Sequence, residues 1–182
     1  MTYSFHTFNA MAHFGSSVAL KRLLGEQEQP PVIVCVGSDL VIGDSLGPLV
    51  GTMLSEQAHI AGYVYGTLRS PVTAKEIRYL QSFLKKTHPR SKVIAIDASF
   101  GQQNEIGLIK LTDAPLRPGS GVNKSLHEIG DVCILGIVAQ KSAFPVQTLD
   151  LIRLSAVYRM AELIAKTVST IFANETQGKS IC

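Results

Sequence analysis

The strongest constraint on this chain is a set of short, almost uninterrupted apolar runs separated by helix-like stretches. Residues 32–37 (VIVCVG), 62–68 (GYVYGTL), 93–97 (VIAID) and 132–139 (VCILGIVA) are dense in β-branched side chains and bounded by turn formers, so they read as strands. A shorter fifth run, 107–111 (GLIKL), is a further candidate. Strands without polar alternation are buried on both faces, which is the habit of a parallel sheet covered by helices.

The stretches between the runs supply those helices. Residues 46–56 carry Pro48 near the start, where proline suits a first helical turn. Residues 73–86 place Ile77, Leu80 and Leu84 on one face and end in Lys85 and Lys86, which suit a helix C-terminus. The longest helix is expected over 147–172, with Leu149, Ile152, Ala156, Met160, Leu163 and Ile164 along one stripe. That stripe reads as cover for the sheet, with a homo-oligomer interface as the alternative. The stretch before Pro31 and the tail after Ala173 read as peripheral, leaving a core of about 30–173 in one domain spanning 1–182. Strands alternating with helices in a short chain give an α/β fold, a three-layer α/β/α sandwich.

Composition removes several function classes. Only 17% of the 182 residues are charged and 46% are hydrophobic, against about 25% charged in an average domain, which argues against disorder. A net charge of +3 does not imply nucleic acid. The basic cluster Lys85, Lys86, His88, Arg90 and Lys92 has no interleaved aromatics for base stacking and reads as a solvated helix end. No apolar run reaches the roughly 20 residues that a membrane helix needs, and no signal peptide is evident. Cys35 and Cys133 lie in strand-like runs and Cys182 is terminal, so buried, unpaired thiols in a cytoplasmic protein are expected.

In a parallel α/β sheet the reactive crevice lies beyond the carboxyl ends of the strands. The first strand is followed by Gly37-Ser38-Asp39-Leu40-Val41-Ile42-Gly43-Asp44-Ser45-Leu46-Gly47-Pro48. This glycine loop contains two aspartates and no lysine, which disfavours a phosphate. Asp39 and Asp44 can serve as turn or cap residues, the reading that suits Asp39 better. Asp97 closes VIAID, where a buried carboxylate is costly unless it is hydrogen-bonded or used. If the first and third strands are close, Asp44 and Asp97 converge, and two neighbouring carboxylates split into an acid and a base. The segment Arg117-Pro118-Gly119-Ser120-Gly121-Val122-Asn123-Lys124-Ser125-Leu126-His127 is an irregular loop ahead of the fourth strand, with His127 structural, solvated or functional.

These three segments resemble the family that joins the germination protease of spore-forming bacteria to the hydrogenase maturation endopeptidases. GSDLVIGDSLGP is similar to the germination protease loop ending in Asp-x-Leu-Gly-Pro, which puts Asp44 on the first functional acid, and VIAIDAS puts Asp97 on the second. LTDAPLRPGSGVNKS resembles a Pro-Gly-Ser-Gly-Val stretch preceding Asn-Lys in that protease, and NKSLHEIGDV resembles the endopeptidases' Asn-Lys-x-Ser-x-His segment. In size the chain looks most like the YyaC-type sporulation proteins, short relatives of the germination protease.

The resemblance implies a mixed, mostly parallel sheet of the phosphorylase/hydrolase-like type. It implies an endopeptidase with Asp44 and Asp97 as acid–base pair, acting on a protein or peptide such as a spore protein in the sporulating cell or spore. Backbone amides around Gly37, Gly43, Gly119 and Ser120 would support an oxyanion. A second version adds zinc or nickel held by Asp44, Asp97 and His127. Cys35 and Ser38 stand where the family loop has its first Gly and its Asn, the feature that favours a third version, a non-catalytic binding or regulatory relative.

Overall fold

The computed structural model describes residues 1–58, 60–118, 127–141 and 152–173. Six strands form one sheet: β1 (Thr2–His6), β2 (Val32–Cys35), β3 (Tyr63–Tyr65), β4 (Val93–Gly101), β5 (Leu108–Thr112) and β6 (Val132–Gln140). Their order across the sheet is β1-β5-β6-β4-β2-β3. β3, β2, β4 and β6 run parallel, and β5 and β1 extend the sheet antiparallel. The helices are α1 (Ala12–Leu24), α2 (Leu46–Met53), α3 (Ile77–Thr87) and α4 (Leu154–Phe172).

Alternation along the strands divides the core into two layers. Ile33, Cys35, Ile94, Ile96 and Ile134 pack with Leu20, Leu46, Val50, Met160 and Ile164 from α1, α2 and α4. Val32, Val34, Ala95 and Cys133 pack on the opposite face with Ile77, Leu80 and Leu84 of α3. The fold is the expected three-layer α/β sandwich with a mixed sheet.

Several boundaries differ from the sequence reading. The N-terminal stretch is integral rather than peripheral: β1 pairs with β5 along its length, and Leu20 of α1 is fully buried. Its helix was hidden because α1 turns Phe14 and Val18 to solvent and buries Ser16, whose hydroxyl meets Thr167 of α4 at 2.7 Å. The second expected helix starts at Ile77 because Glu76 first closes a turn, its side chain accepting the Thr73 N–H at 2.9 Å. The long helix begins at Leu154; Ile152 and Arg153 precede it in non-helical conformation, and residues 142–151 lie outside the described residues. Beyond Met53, the expected second half of α2 continues as a π-helical turn over Leu54–Ala58.

Candidate active site

The sheet makes an opening where β2 stops and β4 continues. β2 and β4 stay in register to the pair Cys35 and Ile96, and the Val36 N–H then donates to the Ile96 carbonyl at 2.7 Å. At Gly37 the chain turns away, donating instead to the Val72 carbonyl at 2.9 Å. β4 runs on to Gly101 beside β6, so Asp97, opposite Leu135, lies within the strand at the point where its β2 neighbour has left. The sequence places Asp97 at a strand end because β-branched residues stop there; pairing with β6 carries Ala98–Gly101 onward.

Glycine at position 37 is required by two features. Its φ is +142°, and a Cβ there would lie 2.1 Å from the Asp44 carbonyl oxygen. A Cβ at Gly47 would lie 2.0 Å from the Val36 carbonyl, so α2 starts directly against the end of β2. Between them a 3-10 turn over Ile42–Asp44 folds back toward β4. Asp44 is pinned on both sides: its N–H donates to Val41 O at 2.9 Å, and its carbonyl accepts the Ser38 N–H at 3.1 Å. The Ser45 hydroxyl locks the same turn by donating to Ile42 O at 2.7 Å. Gly43 is buried within it.

The two carboxylates share one electrostatic environment. Burial pushes Asp44 from 3.8 up to about 6, and the Ser38 amide partly offsets this. Asp97 is only 8% exposed, and burial raises its carboxyl well above the ordinary range. Repulsion from Asp44 raises it further, while the Ala98 N–H, donating to Oδ1 at 2.8 Å, lowers it. Burial thus disfavours ionisation of both carboxyls, and the charge of Asp44 adds to that effect at Asp97.

Cys133 is the neighbour that sequence reasoning passed over as part of this site. It is opposite Ala95 on the α3 side of the sheet, the face that alternation also gives Asp97. Burial and then the charge of Asp97 push its thiol up to about 12, so it is a neutral wall of the site. Counting strand parity from Ala95 and Cys133 would have exposed this neighbour.

His127 does not join the pair. Its side chain is exposed. Ile129 just beyond it is fixed by reciprocal backbone hydrogen bonds with Leu116 at 2.8 and 2.9 Å, and Glu128 is held by Arg117 at 2.6 Å. Among the described residues no three His, Cys, Asp or Glu side chains converge to hold a metal, so Asp44, Asp97 and His127 are not assembled as a ligand set. Gly119 and Ser120, expected as oxyanion support, lie outside the described residues, as do Asn123, Lys124 and Ser125. No helix among the described residues is long and apolar enough to cross a membrane.

Comparison with known proteins places this geometry in context. The family described as "Protein of unknown function (DUF1256)" matches residues 4–167. The chain is 38% identical over 167 residues to the uncharacterized protein YyaC of Bacillus subtilis (strain 168), covering 92% of this chain and 82% of the relative. Among solved structures, the [NiFe] hydrogenase maturation protease HycI from Thermococcus kodakarensis KOD1 aligns at a TM-score of 0.47 and 19% identity. That alignment covers 82% of this chain and 98% of the other.

Proposed function

The chain belongs to the DUF1256 family, and for it we propose an aspartate-dependent peptidase in which Asp44 is the general base and Asp97 the general acid. Asp44 takes a proton from water as the water oxygen bonds to the scissile carbonyl carbon. Asp97 gives its proton to the amide nitrogen as the C–N bond breaks. The pair ends with its protonation reversed and is reset by proton exchange with solvent. The observation that carries this reading is the coupling of a half-buried and a buried carboxyl at the open end of β2, Asp44 raised to about 6 by burial and Asp97 raised by burial and by the charge of Asp44.

The substrate in this proposal is a spore protein in the cytoplasm of the sporulating cell or spore, as the germination-protease resemblance implies. No step is routed through a metal, since the donors expected for one are not drawn together. Incubation with a small acid-soluble spore protein, read by mass spectrometry, tests the proposal. Cleavage by the wild type, reduced about 100-fold or more in Asp44→Asn and in Asp97→Asn, is the expected result. Wild-type cleavage by both variants overturns the acid–base assignment. A substrate that stays intact across pH and added metals overturns the peptidase and favours the binding-protein reading.

A further inference from the structure

The basic stretch 85–92 is more than a solvated helix end. The last turn of α3 and the loop after it line an open cleft of about 370 Å³, whose lining includes Leu84, Lys85, His88, Val93, Ile129 and Asp131. A second cavity of about 200 Å³ shares His88, Pro89 and Ser91 with the first and adds Tyr63 and Arg90. His88 is a fixed part of this shared wall: its Nε2 is 2.8 Å from the Tyr65 hydroxyl, and its ring lies 4.1 Å from that of Tyr63. Val93 begins β4, whereas Asp97 is four residues further along it. At about 3.3 Å per residue the cavities are roughly 13 Å from the acid pair.

We propose that these paired cavities bind a small organic anion, at a site separate from the carboxylate pair. The larger cavity is within the roughly 300–1,000 Å³ usual for small-molecule sites, and Leu84, Ile129 and Pro89 give it apolar walls. The charges lining the two cavities are unevenly matched. Glu128 is already engaged by Arg117 at 2.6 Å, and Asp131 Oδ2 accepts the Val93 N–H at 2.8 Å. Lys85 and Arg90 have no carboxylate partner among the described residues. Lys86 and Lys92, both exposed, add positive potential nearby. A carboxylate or phosphate group would lie across the shared wall between Lys85 of the larger cavity and Arg90 of the smaller, with its organic body against Leu84 and Ile129.

Calorimetric titration of the full chain with citrate in one arm and phenyl phosphate in the other tests this and separates the two anion chemistries. Saturable 1:1 binding of at least one anion is expected. Lys85→Ala and Arg90→Ala should each weaken it by roughly tenfold, the loss of one charge-assisted hydrogen bond. Both side chains are exposed, and circular dichroism verifies the fold of each variant. Lys85→Arg should retain binding, and Asp97→Asn should bind like wild type. No saturable heat with either anion, undiminished binding in the Lys85→Ala/Arg90→Ala double variant, or loss of binding in Asp97→Asn overturns the proposal. None of these outcomes depends on peptidase activity.

Discussion

Replacing Asp44 with Asn should stabilise the fold by an amount that grows as pH rises from about 3.8 to about 6. Asp44 titrates near 6 in the folded chain against 3.8 for an ordinary carboxyl. Between those values the folded state binds more protons than the unfolded one, so stability falls as pH rises through this window. The penalty is fully developed above about pH 7 and absent well below 3.8. A gap of this size corresponds to about 3 kcal/mol; Asp44 keeps partial solvent contact, and screening reduces the expected net effect to about 1–2 kcal/mol. Asn keeps the shape and an acceptor for the Ser38 amide but carries no charge. For a chain of this length that translates into a melting-temperature gain of about 3–6 °C at pH 8. About a third of it should remain at pH 4.5. Thermal and urea unfolding of wild type and Asp44→Asn at pH 4.5, 6 and 8, with unchanged urea m-values, measure this directly. A variant that is less stable at pH 8, or a difference that is flat across pH, refutes the claim that burial raises this carboxyl.

The proposed chemistry predicts that kcat/KM for peptide cleavage rises as pH passes through about 6, where Asp44 ionises, and falls at higher pH as Asp97 loses its proton; a profile flat from pH 5 to 7 contradicts the assignment of the base. Gly37→Ala forces a Cβ to within 2.1 Å of the Asp44 carbonyl at a φ of +142°. It should cost about 2 kcal/mol or more in urea unfolding and displace Asp44, lowering kcat in the surviving folded protein. In a Cys182→Ser background, Cys35 and Cys133 should both resist a thiol reagent at pH 8 until denaturant is added, since both are buried and Cys133 titrates near 12; prompt native-state reaction of either one counts against the packing around the site.

The parts legible in the sequence were those where local pattern and global fold agree. VIVCVG and VIAID are runs rich in β-branched residues, and they became neighbouring central strands, parallel and in register up to Cys35 and Ile96. Gly37 and Gly47 marked the close approach of loop, strand and helix. What could not be read depends on partners distant in sequence. β1 is stabilised as a strand by pairing with β5 more than a hundred residues away. α1 carries Phe14 and Val18 outward and buries Ala12, Ser16, Ser17 and Ala19 beside Leu20 and Leu24, so its hydrophobic pattern is blurred. The extension of β4 past Asp97 relies on β6, as tertiary pairing overrides weak local propensity. His127 matched a motif, but its neighbours are tied to Leu116 and Arg117, contacts that no short motif encodes.

The character of the acid pair is clearest against the chain's other shifted carboxylates. Glu76, Glu105 and Asp113 are all held below the ordinary range, by the Thr73 hydroxyl, by Lys110 and by the N-terminal ammonium respectively. Each is an acid whose surroundings stabilise its charge, as a structural role would arrange. Asp44 and Asp97 are instead raised, with burial as the first cause for both and Asp44 itself as the second for Asp97. The coupling is therefore separable from the burial. Removing the Asp44 charge by Asp44→Asn should lower the Asp97 pKa while leaving it above 3.8, because desolvation persists. Carbon-detected NMR titration of the Asp97 carboxyl in wild type and variant reads the change. A drop to the ordinary range would mean that repulsion, not burial, dominates. An unchanged pKa would mean that the two groups do not share a site, and the acid–base pair would lose its physical basis.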